Sequence, residues 1–286
     1  KSEPSCCRVE HLIQRLSANA SDLVDFEWSH AVKLGPQATA AVVEPLNWRN
    51  THLRTLRLSN QALGDLGVSH VAKALKSNRS IVFLDISGNS ITSKGVESLV
   101  DAVLANQPSR AVLERLDLSH NLIDFAGCGH IARLVTNAET LHTLLLNNNL
   151  INDVGLTTIG NALALNCSLT RLDLQQNPAS HNVSIGPIFT SVLDESNYSV
   201  TKLDLGGARL NDAEIVTLNL ALDRNVLLAD ERLATKDHAS PKENAFKRMQ
   251  ITAESACLHV FSPDVMNPSA ILKLVTSPLG ANITSL

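Results

Sequence analysis

The stretch Ile81-Val82-Phe83-Leu84-Asp85-Ile86-Ser87-Gly88-Asn89-Ser90-Ile91 has apolar residues at its positions 1, 4, 6 and 11 and an asparagine at position 9. The pattern L-x-x-L-x-L-x-x-N-x-L recurs along the chain, with asparagine at position 9 in three further copies and Gln61 and Ala208 there in two weaker ones. Successive copies start 28, 32, 28, 28 and 31 residues apart, which indicates one structural unit that is repeated. The six copies start at Leu53, Ile81, Leu113, Leu141, Leu169 and Val200.

Each position of the repeat has a structural reason. Positions 4 and 6 alternate, so they point to one side of a short strand, and the apolar residues at positions 1 and 11 bring the chain back to the same core. The asparagine follows the strand, where its amide can satisfy backbone groups of its own turn and of the neighbouring repeat. A single repeat cannot bury its apolar edge alone, so the repeats must stack. The predicted asparagine ladder consists of Asn89, Asn121, Asn149 and Asn177.

The registered copies resemble the leucine-rich repeat superfamily. A repeat length near 28 residues is similar to that of its ribonuclease-inhibitor-like subclass, in which a strand alternates with a full α-helix. The resemblance implies an α/β fold: a right-handed solenoid, or horseshoe, with parallel strands on the concave side and helices on the convex side. A glycine near the start of several helices predicts a turn or close packing that a side chain would block. These glycines are Gly67, Gly95, Gly127 and Gly155.

We predict a leucine-rich repeat domain over residues 1–227. It opens on a degenerate repeat, because Val9–Asn19 aligns residue for residue with the helix sequence Val96–Asn106. A strand near Phe26 follows and lacks a ladder asparagine, as expected of a terminal repeat. Six regular repeats complete the domain.

A non-repeat C-terminal extension is expected over residues 228–286, because the repeat pattern stops at about Leu228. The polar residues 229–245 predict a linker. One helix is expected over Ala245–Phe261 and a second, short one over Pro268–Val275. The sequence leaves open whether this extension caps the last repeat or lies along a partner.

Composition narrows the class of function. Hydrophobic residues make up 44% of the 286 residues and aromatic residues only 3%, so we expect a continuous aliphatic core. The net charge of −4 argues against a phosphate-binding surface over the whole molecule, and we expect no nucleic-acid partner. The five cysteines are odd in number and irregularly spaced, which favours free thiols in a reducing compartment and therefore the cytoplasm. No run of residues is apolar enough to span a membrane.

Asn-x-Ser/Thr sequons point in the other direction, since they are glycosylation sites in secreted proteins. However, Asn19, Asn78 and Asn166 share one repeat-equivalent position just before a strand. A structural role in that turn explains them without glycans. No signal peptide is visible, but the chain begins with lysine rather than methionine, so a lost leader stays open.

Positions 3, 5 and 7 of each strand face away from the core and line the concave side, the usual binding surface of such solenoids. Basic residues recur at position 3 and aspartates at position 5, with Phe83 and Leu145 as isolated apolar contacts. The aspartates either accept bonds from a neighbouring strand or lie in water. If this face binds a partner, Phe83 and the arginines are the best candidates, because hot spots are rich in aromatic residues and arginine. The candidate binding residues are Arg57, Phe83, Asp85, Arg115, Asp117, Leu145, Asn147, Arg171, Asp173, Lys202 and Asp204.

Patterns of catalysis or metal binding do not compete with this interpretation. Gly127–Ala132 matches the G-x-G-x-x-A dinucleotide fingerprint by letter, but it lies inside a registered repeat, without the doubly wound sheet that the fingerprint requires. The histidines show no H-E-x-x-H pattern and no zinc spacing with cysteine, and the sequence has no nucleophile elbow and no P-loop. We therefore expect no cofactor, no metal and no enzymatic activity.

These observations predict a non-enzymatic scaffold for protein–protein interaction, a subunit of a larger hetero-complex in the cytoplasm, the cytoskeleton or a cilium. The resemblance also fits a cytosolic inhibitor, an actin-filament cap similar to tropomodulin, or the repeat domain of an immune sensor. An immune sensor would need a nucleotide-binding module, which this sequence does not show. A GTPase-activating protein similar to the Ran GTPase activator is a further alternative, although the acidic tail of that family is missing.

Overall fold

A computed structural model of the chain describes residues 13–28, 32–46, 50–105, 113–178, 185–208 and 210–235. The chain divides into two compact units, Lys1–Asp223 and Arg224–Leu286, and the described strands all lie in the first. Residues 13–17 are helical, and strands then alternate with helices. The strands are β1 Asp25–Glu27, β2 Thr55–Arg57, β3 Phe83–Asp85, β4 Arg115–Asp117, β5 Thr143–Leu145, β6 Arg171–Asp173 and β7 Lys202–Asp204. The helices are α1 Gly35–Val43, α2 Gly64–Leu75, α3 Ser93–Ala105, α4 Phe125–Asn137, α5 Asp153–Leu163, α6 Gly186–Glu195 and α7 Asp212–Thr235.

The described strands form one parallel sheet in chain order, from β1 to β7. Equivalent repeat positions pair with one another, so that Phe83 of β3 lies opposite Thr55 of β2 and Arg115 of β4. Paired strands lie about 4.8 Å apart whereas packed helices need about 8 to 10 Å, so the stack curves with its strands on the inner side. The predicted α/β solenoid of parallel strands and alternating helices is confirmed.

The apolar positions of the repeat build one continuous core. In the repeat that starts at Ile81, the side chains of Leu84, Ile86 and Ile91 are fully buried, and Ile81 itself is 2% exposed. The equivalent residues of the other repeats, where the structure describes them, belong to the same cluster or pack against it, and Phe26 of the degenerate first repeat is among them. Each repeat therefore completes the burial of its neighbours, as a stacked array requires.

The glycines near the helix starts allow neighbouring repeats to approach closely. A Cβ added at Gly155 would lie 2.6 Å from Sγ of Cys128 and 2.8 Å from Cγ2 of Ile151, and one added at Gly95 would lie 2.6 Å from Oδ1 of Asp65. Neither glycine has a positive φ. Of the two predicted reasons for these glycines, close packing is therefore the one that applies.

The last described helix, α7, departs from the prediction. The composition of residues 229–245 predicts a linker, but α7 continues through Thr235, so the prediction is wrong for residues 229–235. Leucine, alanine, glutamate and arginine are good helix formers whether or not they keep an apolar spacing. The end of the repeat pattern is thus not the end of the helix. Residues 236–286, with both expected C-terminal helices, lie outside the described residues, and the domain boundary at 227/228 stays a prediction.

Candidate functional site

A ladder of carboxamides fixes the turn that ends each strand. Oδ1 of Asn89 accepts the backbone N–H groups of Gln61, at 2.8 Å, and Leu63, at 3.3 Å, both in the preceding repeat. Nδ2 of Asn89 donates to the carbonyl of Leu58 in the preceding repeat and to that of Ser87 in its own turn. Equivalent bonds to both turns are made by Asn121, Asn149 and Asn177.

Gln61 extends this ladder toward the first repeat. Its Oε1 accepts the N–H of Leu34 at 3.3 Å, and its Nε2 donates to the carbonyls of Ser59, at 2.8 Å, and Trp28, at 3.4 Å. One additional methylene thus leaves the linkage between repeats intact. Ala208, at the same position of the last repeat, has no side-chain group that can form it.

A second set of buried asparagines lies three residues before the start of four of the six repeats. In Asn166, Nδ2 donates to the carbonyl of Val135 in the preceding repeat at 2.6 Å, while Oδ1 accepts the N–H groups of Ser168 and Leu169 in its own turn. We call this set the strand-start asparagines. Its members are Asn50, Asn78, Asn166 and Asn197.

The sequence reveals this set only in part. Asn78 and Asn166 do share a structural turn position, but Asn19, which the pattern places with them, differs. It has a left-handed φ of 51° and bonds Thr51 through both ends of its carboxamide, at 3.1 and 3.0 Å. Ala138 interrupts the period, so a search for a regular asparagine would not find the set.

On the strand face, which we define as the side chains at positions 3, 5 and 7, Phe83 lies between two arginines. Cζ of Arg115 lies 4.6 Å from the centroid of the half-buried Phe83 ring, and Cζ of Arg57 lies 5.2 Å from it. Both distances are within the range of cation–π attraction, about 6 Å. The two arginines reach the ring from β2 and β4, the strands that flank β3. We call these three residues the Arg–Phe–Arg cluster.

The aspartates at position 5 serve their own turns. Oδ1 of Asp85 accepts the N–H of Ser87 at 3.0 Å and its hydroxyl at 2.7 Å, and Asp117 bonds Ser119 in the same way at 3.0 and 2.6 Å. Neither of the predicted roles, a bond from a neighbouring strand or a purely solvated carboxylate, describes this arrangement. The aspartate caps the turn that leads to the ladder asparagine, as short acidic side chains commonly do.

Two of the predicted contact residues are buried. Leu145 is 7% exposed and Asp173 is 6% exposed, so the prediction that they are free for a partner is wrong. Leu145 is buried although it lies outside the core cluster. Burial is the main cause that raises the pKa of the Asp173 carboxyl; the N–H of Gln175 opposes this shift, and the charge of Asp204 adds to it.

The remaining candidates lie apart from the Arg–Phe–Arg cluster. Arg171 of β6 and Lys202 and Asp204 of β7 are exposed, and Asn147 is half-buried. Strand β5, which carries Leu145 at position 5, separates β6 and β7 from β4. The structure therefore brings Arg57, Phe83 and Arg115 together and leaves the basic residues of β6 and β7 as a separate group.

Gly127–Ala132, which matches the dinucleotide fingerprint in sequence, lies near the start of α4 and does not form a phosphate site. Oδ1 of Asp124 already accepts the N–H groups of Ala126 and Gly127, at 3.1 and 3.2 Å. Cys128 is fully buried, and burial raises the pKa of its thiol to about 12. Within the described residues, no cluster of His, Cys, Asp or Glu is arranged to hold a metal ion, and no helix is long and apolar enough to cross a membrane.

Comparisons with known proteins agree with the repeat architecture. A family description, "Leucine Rich repeat", matches residues 49–72 and 77–100. The chain is 33% identical over 221 residues to NACHT, LRR and PYD domains-containing protein 14 of Mus musculus, covering 72% of this chain and 21% of that protein. It is 27% identical over 190 residues to the ribonuclease inhibitor of Sus scrofa, covering 65% of this chain and 40% of the inhibitor. The chain thus spans less than half the length of either relative.

Among solved structures, the tropomodulin C-terminal domain of Caenorhabditis elegans is similar over 79% of this chain and 98% of that domain. The TM-score is 0.46 and the sequence identity 13%. A similarity of this strength carries no argument about function.

Proposed function

Because this chain is a leucine-rich repeat protein of the ribonuclease-inhibitor-like kind, we propose that it is a non-enzymatic protein-interaction scaffold that binds its partner through the strand face. The observation that carries the proposal is the Arg–Phe–Arg cluster. An aromatic ring and two guanidiniums meet on a surface that the core does not use. Aromatic residues and arginine contribute most to binding at protein interfaces.

The scaffold functions as a subunit of a larger hetero-complex in the cytoplasm. The stacked repeats support this proposal, because they hold side chains from successive strands in fixed register along one extended surface. A cytoskeletal or ciliary location is the more specific form of the same proposal. Affinity purification of the chain from its native source, followed by mass spectrometry, would identify the complex, and recovery of the chain without any stoichiometric partner would contradict it.

The strand-face proposal is tested with a triple variant, Arg57→Ala, Phe83→Ala and Arg115→Ala. We expect recovery of the native partner in a pull-down to fall by about tenfold or more, because each substitution removes a hot-spot type of side chain. These side chains lie outside the core, so the unfolding midpoint in urea should change little. Undiminished recovery of the partner would refute binding through this face.

The control is a triple variant on the helix side, Lys73→Ala, Lys94→Ala and Glu97→Ala, at exposed positions of α2 and α3. It removes three charged side chains from the same repeats and is expected to leave partner recovery unchanged. Loss of the partner in this control but not in the strand-face variant would move the binding surface to the helices.

The similarity to the Sus scrofa inhibitor and to the Mus musculus NACHT, LRR and PYD protein favours a second candidate: a cytosolic inhibitor or an immune-sensor repeat domain. An assay of pancreatic-type ribonuclease with and without the chain tests the inhibitor form, and full ribonuclease activity at a molar excess of the chain would exclude it. The GTPase-activating alternative stays a prediction. Stimulated GTP hydrolysis by a small GTPase in the presence of the chain would establish it and overturn the non-enzymatic proposal.

A further inference from the structure

The Arg–Phe–Arg cluster places two positive groups on the strand face. Within the described parts of the chain, neither Arg57 nor Arg115 takes part in an ion pair. The aspartates of the adjoining strands are turned toward other groups, since Oδ1 of Asp85 and Oδ1 of Asp117 each accept two bonds from a serine in their own turns. These two aspartates therefore cap turns, and Glu27, which lies opposite Arg57 on β1, forms no ion pair with it among the described residues.

Stacking on the ring prepares both guanidiniums for a ligand. Cζ of Arg57 and Cζ of Arg115 each lie over the Phe83 ring, and the N–H donors of a guanidinium form a planar fork. A guanidinium held in this way presents a fork of donors that matches a carboxylate with two parallel bonds. The ring also limits the conformations of both side chains before a ligand arrives, which lowers the entropy lost on binding.

We propose that the cluster binds two carboxylates of an extended acidic segment in a partner protein. This inference rests on the proposed function, because it names the partner chemistry of the same surface. Cζ of Arg115 and Cζ of Arg57 lie 4.6 and 5.2 Å from the centroid of the same ring, so the two guanidiniums are at most about 10 Å apart. An extended peptide advances about 3.3 Å per residue, so acidic residues three positions apart are also separated by about 10 Å. The segment crosses the strands, with one carboxylate on each guanidinium and Phe83 as the apolar contact between them.

The probe is a fluorescein-labelled peptide of four Glu-Gly-Gly units, titrated with the full chain and followed by fluorescence anisotropy at an ionic strength of about 0.15 M, where exposed charges more than about 8 Å from the peptide are largely screened. The matched peptide has four Gln-Gly-Gly units. We expect the glutamate peptide to bind about tenfold more tightly or better, because carboxylates form charge-assisted bonds that amides do not. Equal affinity for both peptides would overturn the inference.

Two double variants separate the cluster from general charge. Arg57→Gln with Arg115→Gln should lower the affinity about tenfold or more. Arg171→Gln with Lys202→Gln removes the same charge from the same face and should lower it less than about threefold, since exposed charges are screened. Equal losses in the two variants would mean attraction by net charge and would overturn the inference.

Two further variants test the stacked geometry. Arg57→Lys with Arg115→Lys keeps the charge but loses the planar fork, and we expect most of the binding to be lost. Phe83→Leu keeps an apolar side chain but removes the aromatic face, and we expect a loss of about two- to fivefold. The Phe83→Leu variant keeps both arginines, so it still tests the geometry if a double arginine variant does not fold. Affinities equal to that of the unsubstituted chain in these variants would overturn the proposed geometry.

A deoxythymidine dodecamer tests the competing class of macromolecule. If it binds more tightly than the glutamate peptide with the same dependence on Arg57 and Arg115, the surface recognises nucleic acid and the acidic-peptide inference is wrong. The proposed function is judged separately. If the glutamate peptide does not bind while the strand-face triple variant still loses its native partner, the carboxylate inference fails and the scaffold function stands.

Discussion

The strand-start asparagines and the ladder asparagines bury the same carboxamide at opposite ends of the same strands, but they link the repeats differently. In Asn121, both ends of the amide reach the preceding repeat: Oδ1 accepts the N–H groups of Asn89 and Ile91, and Nδ2 donates to the carbonyl of Ile86. In Asn166, only Nδ2 reaches back, to Val135. The ladder therefore joins repeats, whereas the strand-start set mainly shapes its own turn.

The largest effect is expected for Asn121→Ala. Asn121 is 4% exposed, and the substitution leaves buried backbone donors and acceptors of two repeats without partners. We expect the free energy of unfolding to fall by about 3 to 4 kcal/mol, measured by urea denaturation. Asn161→Ala, at an exposed position of α5, is the matched control and should change it by less than about 0.5 kcal/mol.

Asn166→Ala should have a smaller effect, about 2 kcal/mol by the same measurement, because a single bond to the preceding repeat is lost with the three bonds of its own turn. An equal loss of unfolding free energy in Asn166→Ala and Asn121→Ala would contradict this difference. The bonds between repeats would then not be what separates the two sets.

Ser168→Ala tests how much one hydroxyl hydrogen bond stabilises the strand-start turn. The Ser168 hydroxyl donates to the carbonyl of Ala138 in the preceding repeat at 2.7 Å. Its loss should reduce the free energy of unfolding by about 1 kcal/mol. The control is Ser98→Ala, whose hydroxyl bonds the Lys94 carbonyl within one helix at an exposed site, and it should be nearly neutral. A neutral Ser168→Ala would show that this hydroxyl bond does not stabilise the junction.

The last prediction concerns glycosylation, which we do not expect at the buried strand-start asparagines. Asn78, Asn166 and Asn197 stand in sequons, yet each is buried and uses its Nδ2 as a donor to a backbone carbonyl. If the chain is expressed through a secretory pathway, the folded fraction should carry no glycan at these three sites, as mass spectrometry of its peptides would show. A glycan at any of them in folded protein would contradict the assigned geometry.

The sequence predicts the ladder well because its asparagines recur in register with four apolar positions. It predicts the strand-start set poorly because Ala138 breaks the period and because Asn50 is followed by His52 where the other members have serine. A third feature, the left-handed backbone conformation at position 8, cannot be recognised from the residue types. Position 8 has a left-handed φ throughout, at Gly88 with 65° but also at His120 with 55° and Gln176 with 56°, residue types that do not indicate such a turn.

The candidate site is likewise predicted from the sequence only in part. Pairing of equivalent positions predicts that Arg57, Phe83 and Arg115 lie on adjacent strands, but stacking on the ring depends on side-chain rotamers that no pattern encodes. Alternation likewise predicts that Leu145 and Asp173 point away from the core. It does not predict that both side chains are nevertheless buried.

The ladder also has a direction. Each carboxamide completes the turn of the repeat before it, from Gln61 to Asn177, and the series ends at Ala208, which contributes no such bond to the repeat that starts at Leu169. Loss of the repeat that starts at Leu169 would remove Asn177, which accepts the N–H groups of Asn149 and Ile151 in the repeat before it. Loss of the last repeat removes no ladder carboxamide, because Ala208 has none. The two ends of the array therefore differ. Among the described repeats, we expect the junction between the repeats that start at Leu169 and Val200 to open first.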